Sequence, residues 1–326
     1  MIPSPDDSAS LFPVNVAAIE TIARDIRRFD LVADPGTRLA AFEAGAHIAV
    51  RTPAGAMRQY SLCGSPSDLD RYRIAVKREP DGRGGSASMV DSLREGDRLW
   101  IGAPVNQFAL DERARSVLLI AGGIGVTPLL SMALALSEAG ARRFRLIYLT
   151  RDAESTAFID ELSAPELKPN VLIHHDHGDP DQAFDLWPLL EKPGSLNGQH
   201  VYCCGPSRVM DAVRDMTGHW PASAVHFESF GADTAPRADD RPFTVRCRAS
   251  GVSFEVPVGR SILDVARAHD IRVPSSCESG TCGSCKTALL SGEADHRDQV
   301  LMPEERASRI MVCVSRALGD SLEIDL

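Results

Sequence analysis

The sequence has no apolar run near the roughly 20 residues that span a bilayer, so no membrane-crossing helix is expected. It has no excess of basic residues: 35 Lys and Arg stand against 45 Asp and Glu, a net charge of −10. Phosphate binding is built on basic surface, so a nucleic-acid partner is excluded. The N-terminus, MIPSPDDSASLFPV, lacks the basic start and apolar core of a secretory signal. The expectation is a cytoplasmic protein whose thiols stay reduced. Internal repeats and low-complexity segments are absent too. At 326 residues, 44% hydrophobic and 25% charged, the chain is globular in composition and too long for one ordinary core.

Texture divides it. Residues 1–110 read as short strands, VNVAAIETIA, HIAVRTP, RQYSLCG, RYRIAVKRE and DRLWIGAP, with one short helix near Ser86–Leu93. That spacing predicts a small antiparallel barrel. Residues 111–230 alternate apolar runs (SVLLIAGG, FRLIYLT, VLIHH, HVYCCG) with helical patterns, the rhythm of a parallel sheet covered on both faces. Residues 231–241, GADTAPRADDR, are polar and read as a linker. Residues 242–326 open with a hairpin turning at Ser250-Gly251, continue into a short helix capped by Ser261, and end in a strand, SLEIDL.

Three loops carry chemistry. LLIAGGIGVTPLLSM places Gly122, Gly123 and Gly125 between a buried strand and a helix, where backbone N–H groups can approach a pyrophosphate. The pattern lacks the G-x-G-x-x-G fingerprint, so the standard dinucleotide fold is not implied. YCCGPSRVMDAV repeats strand, Gly-Pro and helix; both turns belong at the carboxyl edge of a parallel sheet, where Gly122, Thr127, Cys204 and Gly205 could line one cleft. In the first segment, RQYSLCG puts Arg58 and Tyr60 on one face of a strand and Ser61 on the other. DGRGGSASMVDSL offers Gly84, Gly85, Ser86 and Ser88 to a phosphate at a helix start.

Cys277, Cys282 and Cys285 are spaced C-x4-C-x2-C, with Cys313 distant. This is the plant-type [2Fe–2S] pattern. Zinc ribbons use two C-x2-C knuckles and only one is present. Spacing favours iron–sulfur and leaves a zinc-binding interaction module on a flavin-free scaffold as the competing reading. His174, His175, Asp176 and His177 look like a metal site, but consecutive residues at a strand end point to opposite faces, so they are read as loop residues.

Together R-x-Y-S, the GGS loop, AGGIGVTP, CGP and an aromatic residue after E-S resemble the ferredoxin–NADP reductase superfamily. The C-terminal cysteine segment narrows the resemblance to the phthalate dioxygenase reductase family. It covers essentially the whole chain, most tellingly at YLTRD, HHDHGDP, YCCGP, DMTGHWP and CESGTCGSCKTALLSGEADHRD. The resemblance implies a multidomain fold: a six-stranded antiparallel flavin-binding β-barrel, an α/β parallel-sheet nucleotide-binding domain and an α+β β-grasp ferredoxin domain. It implies FMN rather than FAD, with Arg58, Tyr60 and Ser61 lining the flavin, the backbone of Ala75, Val76 and Lys77 flanking it, and Gly84, Gly85, Ser86 and Ser88 taking its phosphate. NADH is expected on the middle domain, with Gly122, Gly123, Gly125 and Thr127 near the pyrophosphate and flavin, and Cys204, Gly205 and Pro206 near the nicotinamide. Phe230 is expected to stack on the flavin, which makes Thr127, Cys204 and Phe230 the candidate catalytic residues. The four cysteines are expected to hold a [2Fe–2S] cluster.

Hydride delivers two electrons together, whereas such a cluster accepts one at a time; flavin bridges the two. The implied acceptor is a Rieske-type terminal oxygenase, phthalate dioxygenase by the family's name, with an aromatic O-demethylase as the alternative, and the chain is expected to be monomeric. Asp152, Asp176 and Asp179 favour NADH, although Arg151 could serve a 2′-phosphate.

Overall fold

The structure is a computed structural model that describes residues 11–326 except 81, 83, 193–197, 231–236, 238, 276, 277, 279, 281, 282 and 299. The chain forms two compact units, one built mainly from residues up to Ser229 and the other from Phe230–Leu326.

The first unit opens with β1 (Phe12–Ala23), β2 (Ile26–Val32), β3 (His47–Arg51), β4 (Met57–Ser61), β5 (Tyr72–Lys77), α1 (Gly85–Ser92) and β6 (Arg98–Ile101). These strands form a six-stranded antiparallel sheet in the order β4-β3-β6-β1-β2-β5. A bridge between Leu62 and Ile74 draws its two edges together, so the sheet curls around Val14, Phe29, Ile48, Tyr72 and Ile101. β2 has no counterpart among the expected strands. Its sequence, IRRFDLV, breaks alternation because Asp30 is buried and ion-paired to Arg71 and Arg73.

The same unit continues with β7 (Ser116–Gly122), α2 (Val126–Ala139), β8 (Arg143–Thr150), α3 (Ile159–Ser163), β9 (Val171–His175), α4 (Trp187–Leu190), β10 (Gln199–Cys204), α5 (Ser207–Met216) and β11 (Val225–Glu228). The five strands are all parallel, in the order β11-β10-β7-β8-β9. The apolar run of β7 is continuous because both its faces are covered. Val117, Leu119 and Ala121 pack with α2, while Leu118 and Ile120 pack with Met210 and Val213 of α5. Cys63, Ala75 and Phe108 join the α2 side of that core, which explains why the antiparallel and parallel sheets form one compact unit. The strand order reverses between β7 and β10, the switch point where open parallel sheets bind ligands.

The second unit comprises β12 (Phe243–Cys247), β13 (Ser253–Val256), α6 (Ile262–Ala268), β14 (Lys286–Ser291), β15 (Ala294–Asp295), β16 (Arg309–Met311), β17 (Arg316–Ala317) and β18 (Ser321–Ile324). Its main sheet runs β13-β12-β18-β14-β16, with β12 and β18 parallel, and α6 packs Ile262, Leu263 and Ala266 into the core beneath it. Ser261 caps α6 through a reciprocal box with Asp264, as the sequence predicts. Asp240, in the polar stretch read as a linker, is almost fully buried at its side chain and pairs with the equally buried Arg297. Among the described residues, no helix is long and apolar enough to cross a membrane.

Candidate functional site

One end of the site is built by β4 and α1. Gly84 adopts φ +78°, a left-handed conformation that glycine takes without strain, and starts α1 with no side-chain cap among the described residues and no acidic residue in the first turn. The first N–H groups of the helix and its positive dipole end therefore suit an anion. Arg58 reaches across to this turn: a Cβ added at Gly85 would lie 3.0 Å from its Nε. Ser86 Oγ accepts from the Glu79 N–H at 3.1 Å, and Ser88 Oγ donates to the Gly85 carbonyl at 2.8 Å, so both hydroxyls shape the loop.

Beside this cradle, the Tyr60 hydroxyl is buried and has no hydrogen-bond partner among the described residues. Loss of solvation raises it to about 12, partly offset by Arg58. A buried hydroxyl left unpaired costs about 1–3 kcal/mol, so its presence fits a ligand that completes it. β5 is an edge strand, which leaves alternate backbone groups of Ala75, Val76 and Lys77 facing away from β2; the Ala75 and Val76 side chains are buried and the Lys77 ammonium pairs with Glu79 at 2.8 Å. An orphaned phenol, an edge strand and an uncapped helix start beside an arginine together fit a flavin phosphate and ring.

The two glycine turns meet at the switch point. A Cβ on Gly122 would lie 2.6 Å from Pro206 Cδ, one on Gly125 2.2 Å from the Cys204 carbonyl oxygen, and one on Gly205 2.8 Å from the Gly122 Cα. These glycines let the turns touch each other. Gly123 differs: it has φ +52° and open space around its Cβ position among the described residues, which leaves its backbone approachable. Thr127 is buried, and its hydroxyl donates to the Ile124 carbonyl at 3.0 Å, pinning the first turn of α2. Cys204 is fully buried; desolvation, then the neighbouring Glu228, push its thiol well above the usual range, so it stays protonated and neutral.

Glu228 is the residue the sequence reading missed. It lies opposite Cys204 in the β10–β11 register, and the Ser61 hydroxyl donates to its Oε2 at 3.4 Å. Desolvation lifts its carboxyl to about 8, with the Ser61 hydrogen bond opposing the shift. The signal available was a carboxylate ending the strand VHFESF, one position before the serine of the E-S pair. Ser61 from the antiparallel sheet and Cys204 and Glu228 from the parallel sheet thus converge, although Ser61 is far from the other two in sequence. Phe230 is 44% exposed in the second unit.

The acidic residues after β8 and β9 differ in their partners. Asp152 and Asp179 cap short turns by accepting from the Ser155 and Asp181 N–H groups. Asp176 instead pairs with Arg208 at 2.7 Å. His174 Nε2 lies 2.7 Å from the Gln182 carbonyl oxygen and His175 Nδ1 lies 2.9 Å from Thr150 Oγ1, so these neighbours have separate partners.

In the second unit, Cys285 and Cys313 are buried, and Cys277 and Cys282 lie outside the described residues. Gly280 has φ +75°, and a Cβ there would lie 2.7 Å from Val314 Cγ2, next to Cys313. The cysteine loop therefore folds closely onto the segment carrying the fourth thiol, as ligands to a common centre require.

Comparison with known proteins follows the same division. Residues 13–110 match the Oxidoreductase FAD-binding domain family, 119–215 the Oxidoreductase NAD-binding domain family and 245–318 the 2Fe-2S iron-sulfur cluster binding domain family. The chain is similar to phthalate dioxygenase reductase of Burkholderia cepacia (58% identical over 96% of this chain and 97% of that protein). It is also similar to the phthalate 4,5-dioxygenase oxygenase reductase subunit of Pseudomonas putida (52% identical, 96% of each). A solved phthalate dioxygenase reductase, described as a modular structure for electron transfer from pyridine nucleotides to [2Fe–2S], superposes with a TM-score of 0.87 at 56% identity, covering 99% of this chain and 100% of that one. With flavin, nucleotide and iron–sulfur segments in the same order over nearly its full length, the chain belongs to the phthalate dioxygenase reductase family.

Proposed function

We propose that this protein carries electrons from NADH, through FMN and a [2Fe–2S] cluster, to a Rieske-type aromatic-ring oxygenase, with phthalate dioxygenase as the partner. The convergence of Ser61, Cys204 and Glu228 at the switch point carries the reading, because it joins the flavin sheet to the carboxyl edge of the nucleotide sheet. FMN is the flavin proposed, and Arg58 with the start of α1 would hold its phosphate. When bound, the flavin supplies the change from a two-electron donor to one-electron steps, and the cluster supplies the one-electron exit.

The chain's residues orient and insulate. Arg58 and the α1 N–H groups hold the phosphate, Tyr60 and the β5 edge hold the ring, and Gly123 admits the dinucleotide. Burial favours the protonated forms of the Glu228 carboxyl and the Cys204 thiol, so the two side chains add little negative charge at the switch point. Cys277, Cys282, Cys285 and Cys313 are the proposed cluster ligands. The Asp176–Arg208 pair leaves Arg208 already neutralised, which supports NADH over NADPH. The buried thiols of Cys63, Cys203, Cys204 and Cys247, none in a disulfide, support a reducing, cytoplasmic setting.

Reconstitution tests the partner. Purified reductase, NADH and either a phthalate dioxygenase or an aromatic O-demethylase oxygenase component are mixed, and product is measured. Coupled turnover with the phthalate enzyme at least about tenfold faster supports the reading. Preference for the O-demethylase moves the protein to that partner, and a higher kcat/KM with NADPH overturns the nucleotide choice.

A further inference from the structure

Helix α6 touches the cluster region from two sides. At its start, the Leu263 N–H donates to the Val312 carbonyl at 3.0 Å, one residue before Cys313. At its end, Arg267 Nη1 lies 2.7 Å from Glu278 Oε1, and Glu278 directly follows Cys277 in sequence. The Arg267 Nη2 group also donates to Ser275 Oγ, whose oxygen lies 3.4 Å from the same Glu278 carboxylate. One guanidinium therefore grips the cysteine loop on both sides of Cys277. Glu278 is a non-glycine residue at φ +51°, and its side chain is only 9% exposed. A buried carboxylate in a left-handed conformation persists only where its surroundings hold it.

The helix is rigid enough to serve as a gauge. The reciprocal box of Ser261 and Asp264 fixes its first turn, and Ile262, Leu263 and Ala266 are fully buried. It thus links the segment preceding Cys313 to Ser275 and Glu278. The Arg267 charge also offsets that of Glu278 in a loop whose thiolates are themselves anionic.

We infer that Arg267 is a positioning residue of the iron–sulfur site: from the end of α6 it clamps Ser275 and Glu278, holds the cysteine loop in register with Cys313 and balances the loop's charge. The inference rests on the [2Fe–2S] reading of the four cysteines. Outer-shell partners of this kind typically govern metal retention by 10–100-fold.

The test compares the full-length parent, Arg267→Gln, and the charge-swapped Arg267→Glu with Glu278→Arg. Iron and sulfide per flavin, loss of visible circular dichroism under a chelator, and the cluster's midpoint potential are measured. Arg267→Gln should lose its cluster signal at least about tenfold faster than the parent, and its potential should move to more negative values because a nearby positive charge is gone. The swap should recover most of the retention. If Arg267→Gln keeps its cluster at the parental rate and potential, or if the swap is no better than the single variant, Arg267 is not a clamp. A parent that holds flavin but no iron would instead defeat the iron–sulfur reading itself.

Discussion

At the scale of single residues, Glu228 and Tyr60 carry most of what the site's chemistry adds. The carboxyl of Glu228 is raised from 4.5 to about 8, so the native protein keeps a proton that the unfolded chain has released between those values. Stability must then fall as pH rises through that window. Glu228→Gln lacks this dependence. Its unfolding free energy relative to the parent's should grow from pH 5 to pH 9, by on the order of 4 kcal/mol; a gap independent of pH would rule out the raised carboxyl. Tyr60 gives a prediction of two signs. Tyr60→Phe removes an unpaired buried hydroxyl and should stabilise the flavin-free protein by about 1 kcal/mol, while weakening flavin retention by about tenfold. Loss on both counts would mean that the hydroxyl has a partner within the protein. Only one of the two residues was legible in the sequence. Tyr60 was named for its motif, but its missing partner emerges only from packing, and Glu228 acquires its neighbours only through the β10–β11 register and the approach of Ser61.

At the scale of elements, the glycine-rich turns were legible because glycine marks places where a side chain will not fit. What the sequence did not distinguish was which glycine faces what. Gly122, Gly125 and Gly205 serve contact between the turns after β7 and β10, whereas Gly123 has open space at its Cβ position among the described residues. Gly125→Ala forces a Cβ against the Cys204 backbone and should destabilise the fold by about 3 kcal/mol, read as a lower midpoint in urea. Gly123→Ala meets no such obstacle; it should fold with a penalty near 1 kcal/mol from its positive φ and show a raised KM for NADH. Equal effects would erase the distinction. At the phosphate cradle, Arg58→Ala should weaken FMN binding at least about tenfold while leaving riboflavin, which has no phosphate, nearly unaffected. Most strands and helices were readable from their periodicity. β2 was not, because buried Asp30 interrupts the apolar pattern.

At the scale of the whole molecule, the order of flavin, nucleotide and iron–sulfur segments was legible because each carries its own loop chemistry. The division into units was less so: shared packing of Cys63, Ala75 and Phe108 with α2 makes one unit of two sheets, while Asp240 is drawn into the second unit by Arg297 from far along the chain. Because flavin and cluster sites lie in different units, they should fail separately. Cys285→Ser should lose the cluster while NADH oxidation by a small artificial acceptor persists at near the parental rate; its disappearance in a folded variant would contradict separate stations. The relay itself is tested most directly by the visible spectrum of the purified protein before and after anaerobic NADH. Flavin bands and the broader iron–sulfur absorption should both be present and should both bleach. A colourless protein containing zinc, or flavin that bleaches while an intact cluster stays oxidised, would contradict the account.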